Sequence, residues 1–235
     1  MGLDWRVQEP GCFSGGHLDQ PRWYVPPVPA YLKPTAPIAP AALLPSDPAH
    51  ALLLAQELLE APLMSNHSYG LWGYHGEPPD GRSLTIQSTG IGGPSAAIVL
   101  RELAELGVTR AVRLGACMPL NGQVSEQEVI VVERAIAAAG ATVGDADRAL
   151  TRHLAEAAGR SARTGTVASV DPLHDAGGET SAALATDLES AAVLSLASAL
   201  GVAGAALLVA GTPSDAAVVR IGRAASAALA GSEEG

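Results

Sequence analysis

A glutamate stands in a largely apolar stretch late in this 235-residue chain. Glu189 stands in TDLESAAV (186–193), among Ala, Leu and Ser residues that suit a buried helix. Burying a carboxylate without a partner is costly. We therefore expect Glu189 either to pair within the fold, as a cap or an ion-pair partner, or to line a cavity.

Two further segments carry residue types that suit anion binding. STGIGGPSAAI (88–98) is a glycine-rich turn before a helix, and RLGAC (113–117) contains Arg113. A turn of this kind alone occurs in many α/β proteins, and no acidic residue follows at the distance that a dinucleotide site requires. Arg113 suits either an oxyanion ligand or a structural ion pair.

Metal and disulfide chemistry are not indicated. The chain has two cysteines, Cys12 and Cys117, which are too few for a disulfide framework or a zinc cage. The histidines at 17, 67, 75 and 153 show no ligand spacing. We expect no metal and no cofactor.

Aromatic residues are confined to the first 74 positions. They are Trp5, Phe13, Trp23, Tyr24, Tyr31, Tyr69, Trp72 and Tyr74. An aliphatic core in the remaining residues explains this distribution by packing alone. Aromatics gathered in one arm and one loop would equally suit a ligand wall or a subunit contact.

Strand and helix patterns alternate along the chain, which predicts an α/β fold with a mostly parallel, covered sheet. The predicted strands are 42–45, 83–90, 110–116, 128–137, 163–169 and 205–210. The predicted helices are 46–60 with Ser46 as the cap, 94–106, 145–158, 179–200, and 214–230 with Ser214 as the cap. Proline recurs throughout residues 1–40. We interpret 1–40 as an arm over the surface or a neighbouring subunit, and 41–235 as one domain.

Composition excludes several functional classes. The formal charge of −10 argues against nucleic-acid binding, and 48% hydrophobic residues argue against disorder. The N-terminus lacks the apolar core of a signal peptide. Gly201 and Gly204 divide the uncharged run 191–213 into a helix and a strand, so no membrane span is predicted. We expect a cytoplasmic protein.

Four segments in order resemble the purine nucleoside phosphorylase and uridine phosphorylase superfamily. They are LLPSDPAHA (43–51), STGIGGPSAAI (88–98), RLGAC (113–117) and TDLESAAV (186–193). The resemblance runs from about Tyr31 to the C-terminus. It implies a single-domain, twisted mixed β-sheet flanked by helices, a homo-oligomer, and a small-molecule pocket between neighbouring subunits.

The positions that the resemblance assigns to phosphate are mostly altered. The family turn reads Gly-Asp-Pro followed by an arginine, whereas this chain has Ser46 in place of the glycine and His50 in place of the arginine. Tyr69 replaces the arginine that a neighbouring subunit lends, and Ala116 replaces a hydroxyl residue. Arg113 is retained. Losing three charged contacts would weaken phosphate binding about 10³-fold or more.

The ribose and base positions are altered to different degrees. Glu189 matches the ribose glutamate, with Leu188 beside it instead of methionine, while Tyr31 replaces a histidine lent by the neighbour. Thr212 stands at the position of the base-binding acid, and His174 lies in the loop that resembles the base-recognition loop. The short GTPSD link (211–215) leaves no room for the family's flap.

These substitutions share a direction, because arginines and hydroxyl residues become Tyr, His, Ala, Leu and Met, and the flap over the pocket is missing. They predict a wide, apolar cleft walled by Tyr31, Met64, Tyr69, Trp72, Met118 and Leu188. Such a cleft suits the binding of a large secondary metabolite. By holding it in a reactive conformation, the protein would act as a cyclase or pericyclase and promote intramolecular cyclisation. The alternatives are a nucleoside phosphorylase or nucleosidase of altered specificity, and a non-catalytic subunit. We expect a trimer or hexamer.

Overall fold

A mixed sheet with helices on both sides forms the body of the molecule. The computed structural model describes residues 29–120, 122–137, 142–170 and 182–231. Among these residues the strands are β1 (Ala41–Pro45), β2 (Glu60–Asn66), β3 (Gly73–Glu77), β4 (Leu84–Gln87), β5 (Arg110–Pro119), β6 (Val129–Ala137), β7 (Val143–Asp145), β8 (Arg163–Ser169), β9 (Ala185–Asp187) and β10 (Ala203–Ala210). The helices are α1 (Pro48–Leu58), α2 (Gly93–Glu105), α3 (Arg148–Ala158), α4 (Ser190–Leu200) and α5 (Asp215–Gly231).

The strand order is β10-β6-β8-β9-β5-β1-β4-β3-β2, with β7 beside β6. β10 also pairs with β5 in parallel, so that β5, β10, β6, β8 and β9 close a ring. Parallel pairs flank β1, whereas β2, β3 and β4 pair antiparallel. The mixed sheet implied by the resemblance is confirmed, and the ring closure adds to it. The mostly parallel sheet expected from the strand and helix pattern is wrong, because five of the ten pairings among the described strands are antiparallel.

Buried side chains alternate along the central strand β1. Leu43 packs with α1, α3 and α5 on one face of the sheet, and Leu44 packs with α2 and α4 on the other. This alternation is the period of two that a strand covered on both faces requires. No helix among the described residues is long and apolar enough to cross a membrane.

The predicted helix at 179–200 is wrong in its first half. Residues 185–187 form β9, which pairs with β8 and β5, and α4 begins only at Ser190. The side chain of Asp187 accepts a hydrogen bond from the Ser190 backbone N–H (3.0 Å) and so ends the strand. Gly201, with a left-handed φ of 70°, ends α4 where the sequence predicts a division.

Smaller corrections concern helix starts and short strands. Asp47, not Ser46, caps α1, because its carboxylate accepts from the Ala49 N–H at 2.8 Å. α3 begins at Arg148 behind its cap Asp147, later than predicted. Strands β2, β3 and β7 were not predicted; β2 contains Pro62 and β3 contains two glycines, which weaken a strand pattern.

Ser214 does begin the last helix as predicted. Its hydroxyl accepts from the Ala217 backbone N–H at 3.3 Å. Only residues 211–214 separate β10 from α5, so this link is as short as the sequence indicates.

Candidate functional site

A cleft of about 530 Å³ opens where the carboxyl ends of β1, β5 and β10 meet β9. Loops at this edge of an α/β sheet commonly form binding sites. The cleft is lined by Ser46, Asp47, His50, Ile91, Arg113, residues 115–118, Val170, residues 186–189 and residues 211–213.

Arg113 forms the floor of this cleft. It lies on β5 and is only 2% exposed. One guanidinium nitrogen, Nη2, donates to Glu189 and lies 3.2 Å from an Asp187 oxygen, while Nε and Nη1 have no hydrogen-bond partner among the described residues. The guanidinium folds over Gly115, where a Cβ would come within 2.6 Å of Nη1. Arg113 is therefore sealed beneath the cleft rather than extended into it.

Glu189 is buried and held from two sides at the start of α4. Besides accepting from Arg113, its carboxylate accepts from the Gly92 backbone N–H at 2.9 Å. Gly92 belongs to the glycine-rich turn and has a φ of 90°, which an L side chain rarely adopts. Glu189 therefore has two partners within the fold, Arg113 and Gly92, and also lines the cleft.

Asp187 completes a buried charge cluster that sequence reasoning missed. Its carboxylate accepts from the Ser169 hydroxyl (2.5 Å), the Ser190 N–H and hydroxyl, and faces Arg113. Its position two residues before Glu189 in TDLES was the available signal.

The cluster holds one guanidinium and two carboxylates. Burial by itself lowers the pKa of Arg113, but Asp187 and Glu189 outweigh that effect and the pKa lies above its ordinary value. Arg113 is therefore charged, and its charge is shared between two carboxylates.

Cys117 lines the same cleft with a buried thiol. Burial, followed by the negative charge of Asp187, raises the pKa of its thiol to about 12. A thiol with this pKa stays protonated at neutral pH, and the thiolate is the reactive form.

The start of α1 places Ser46, Asp47 and His50 at one side of the cleft. The Asp47 carboxylate caps the helix there. Ala116 lines the cleft from β5 and offers no hydroxyl. Three carboxylates and one buried guanidinium thus surround the space. Their excess of negative charge disfavours the binding of an anion.

Apolar side chains form the upper walls. Ile91 is 80% exposed and Met118 is 67% exposed, and Leu188 is half-buried beside them. Ile91 was not foreseen from the sequence. Thr212 lies at the rim, where its carbonyl accepts from the Gln127 side chain at 2.6 Å.

The remaining predicted wall residues lie outside this cleft of a single chain. The rings of Tyr31 and Tyr69 contact each other edge to face, with centroids 5.4 Å apart, and Met64 is 45% exposed. Trp72 is half-buried and packs against the core cluster beneath α1 and α5. His174 lies outside the described residues. No group of His, Cys, Asp and Glu in the described parts of the chain could hold a metal ion.

Comparison with known proteins identifies the family of this chain. Residues 40–231 match the family model described as the phosphorylase superfamily. Relatives include DeoD-type purine nucleoside phosphorylases of Clostridium novyi, 36% identical over 95 residues (40% of each chain), and Oceanobacillus iheyensis, 35% identical over 99 residues (42% of each chain). The matched segment thus spans about two fifths of these relatives.

The family match extends over most of the described residues, from just before β1 to the end of α5. It includes the glycine-rich turn, the Arg113 strand and the Glu189 helix that form the floor of the cleft. The chain belongs to the phosphorylase superfamily.

Proposed function

We propose that this protein is an enzyme without phosphorolysis, which binds a large, largely apolar secondary metabolite and promotes its intramolecular cyclisation. The observation that carries this proposal is the state of Arg113. The one phosphate-binding arginine that the resemblance leaves in place is sealed beneath the cleft and shared by Asp187 and Glu189.

The charge around the cleft supports the loss of phosphate binding. Asp47, Asp187 and Glu189 line it against Arg113 alone, with the imidazole of His50 at the side. A phosphate ion would meet more negative than positive charge, and it would lose the bidentate arginine contacts that suit its geometry.

Size and wall chemistry support an apolar substrate. A space of about 530 Å³ lies in the range of small-molecule sites, which are mostly apolar with a few polar groups. Ile91, Met118 and Leu188 provide the apolar surface. In the homo-oligomer that we propose, Tyr31, Met64 and Tyr69 of a neighbouring copy would extend these walls.

The proposed chemistry needs positioning more than acid–base groups. Folding a flexible chain so that its reacting carbons approach each other removes much of the entropic barrier. In a cycloaddition two π bonds are replaced by two σ bonds, and no atom enters or leaves. The product is therefore an isomer of the substrate, and the reaction requires no co-reactant.

This isomerism defines the main experiment. Deleting the gene from its source organism should remove one metabolite and accumulate an isomer of identical mass. The purified full-length protein should convert that isomer to the missing metabolite in buffer alone. An unchanged metabolite profile, or an isomer that the protein leaves unaltered, would contradict the proposal.

A matched pair of variants tests the cleft wall in the same assay. Met118→Gln keeps the length of the side chain but makes the wall polar, and should lower turnover about tenfold. Ile98→Gln changes another exposed apolar residue, on α2 and outside the cleft, and should leave turnover unchanged. Equal effects of both variants would exclude this cleft as the substrate site.

A nucleoside phosphorylase or nucleosidase is the second candidate. It is favoured by the retained Glu189, which Gly92 and Arg113 hold in place at the ribose position implied by the resemblance. Liberation of adenine, hypoxanthine or uracil from adenosine, inosine or uridine distinguishes it. Release that depends on added phosphate would indicate a phosphorylase, and release without phosphate a nucleosidase; we expect neither.

A further inference from the structure

A third buried carboxylate lies outside the cleft and binds the backbone of the segment that precedes β1. Glu102 on α2 is 5% exposed. Its two oxygens accept from three consecutive backbone N–H groups, those of Ala30 (2.9 Å), Tyr31 (3.0 and 3.1 Å) and Leu32 (2.6 Å). Charge-assisted bonds of this kind are strong and compensate the burial of the carboxylate. Glu102 thus holds the backbone of residues 30–32 on α2.

The hydrogen bonds to Glu102 fix the positions of two neighbouring side chains, Leu32 and Tyr31. Leu32 is 1% exposed and packs into the core between α2 and α4. Tyr31 remains 38% exposed, and its ring lies edge to face on Tyr69 at 5.4 Å. A fixed backbone at Tyr31 therefore fixes one half of an exposed aromatic pair.

Tyr69, the other member of the pair, is also held in a defined position. Tyr69 is 72% exposed yet has a left-handed φ of 57°. A bulky residue adopts this conformation only at an energetic cost, and such strain concentrates at functional positions. Buried Asn66 accepts from the Lys33 N–H at 2.9 Å and donates to the Leu71 carbonyl, so it joins the two segments that carry the pair.

We infer that Glu102 is a positioning residue, which sets the Tyr31–Tyr69 pair as a wall of the neighbouring subunit's cleft. This inference rests on the proposed function for the placement of that wall. Glu102 does not touch the substrate. It acts through the backbone of residues 30–32, which moves if the carboxylate is lost.

The test compares Glu102→Gln with Glu105→Gln, which removes the same charge from an exposed position on the same helix. Hydrogen exchange measured by mass spectrometry should be at least about tenfold faster at amides 30–32 in Glu102→Gln and unchanged in Glu105→Gln. Glu102→Asp, whose carboxylate is one methylene shorter, replaces the Gln variant if the latter does not fold.

Binding of the neutral fluorescent probe N-phenyl-1-naphthylamine distinguishes positioning from a merely structural role. A merely structural role of Glu102 would leave the Kd of the probe unchanged. Glu102→Gln and Tyr31→Ala should each raise its Kd about tenfold, and the double variant should raise it no further, because both remove the same wall. Sedimentation checks that the variants keep the assembly of the parent protein.

Three results would overturn the positioning role. They are protected amides in Glu102→Gln, unchanged probe affinity despite exposed amides, and additive effects in the double variant. Neither readout needs turnover, so a failure to observe cyclisation leaves this test intact. If nucleosides prove to be the substrates, the same comparison of the two single variants with the double variant is made on the KM for the nucleoside.

Discussion

At the scale of single residues, the floor of the cleft is a buried ion cluster. Arg113 has two carboxylate neighbours, and each carboxylate has further hydrogen-bond donors, Gly92 for Glu189 and Ser169 and Ser190 for Asp187. A buried cluster of this kind is sensitive to the loss of one member, since the remaining charges are left uncompensated.

Replacing Arg113 with Met should therefore lower the free energy of unfolding by about 3–5 kcal/mol. Two carboxylates would then face each other without a cation. Arg101→Met removes an exposed arginine on α2 and should change stability by about 0.5 kcal/mol or less. Chemical denaturation measures both. Equal stability of the Arg113 variant and the parent would show that the three charges are not coupled.

Cys117 should be inert in the folded protein. Because burial raises the pKa of its thiol to about 12, the thiolate is scarce at pH 8, whereas unfolding returns the pKa to about 8.5. In a Cys12→Ser background, a disulfide reagent such as DTNB should react with Cys117 only after denaturant is added. Rapid labelling of the native protein would contradict this environment.

At the scale of elements, α4 connects the cleft to the rest of the sheet. Its N-terminus carries Glu189, and its side packs against β7 so closely that Gly144 has no room for a side chain. A Cβ at Gly144 would lie 2.6 Å from the Ser195 backbone nitrogen. Backbone atoms cannot rotate away, so β7 or α4 would have to shift.

Gly144→Ala should accordingly destabilise the protein by about 1–3 kcal/mol through overpacking. The backbone at Gly144 is in an ordinary extended strand, so steric contact alone explains the effect. Val143→Ala, at a half-exposed neighbouring position, is the control and should change the melting temperature little. A thermal melt that shows no loss for Gly144→Ala would mean that α4 tolerates displacement.

At the scale of the whole molecule, one end of the sheet carries exposed apolar side chains in the described chain. β2 is the edge strand, and Met64 on it is exposed together with Tyr31 and Tyr69. Residues 33–35 bond to this strand, so its exposed apolar side chains rather than an open backbone edge indicate an interaction surface. A second copy of this chain is the occupant that the proposed shared cleft requires.

The parent protein should therefore sediment as a homo-oligomer at micromolar concentration, and we expect a trimer or hexamer. Met64→Glu places a charge on the contact surface and should shift the population to smaller species. Val143→Glu, a comparably exposed apolar position on β7, should leave the distribution unchanged. A monomeric parent protein would contradict both the assembly and the shared cleft.

Local chemistry determined much of the fold. The caps and breakers, such as Ser214 before α5 and Gly201 after α4, act within a few residues and are therefore visible in the sequence. Alternating strand and helix patterns predicted a sheet covered by helices, whereas its mixed strand directions followed only from the resemblance to a known family. The retention of Arg113 and Glu189 indicated the floor of the cleft, because their types and spacing resemble those of a known family.

Tertiary structure alone decided the features that depend on distant pairs. β9 exists because residues 185–187 fill the space between β8 and β5, although their own segment looks helical. Arg113 is sealed by Asp187 and Glu189, more than 70 residues away, and Glu102 holds a backbone about 70 residues before it. No local pattern encodes such contacts, since their energy arises only when the folded chain buries both partners together.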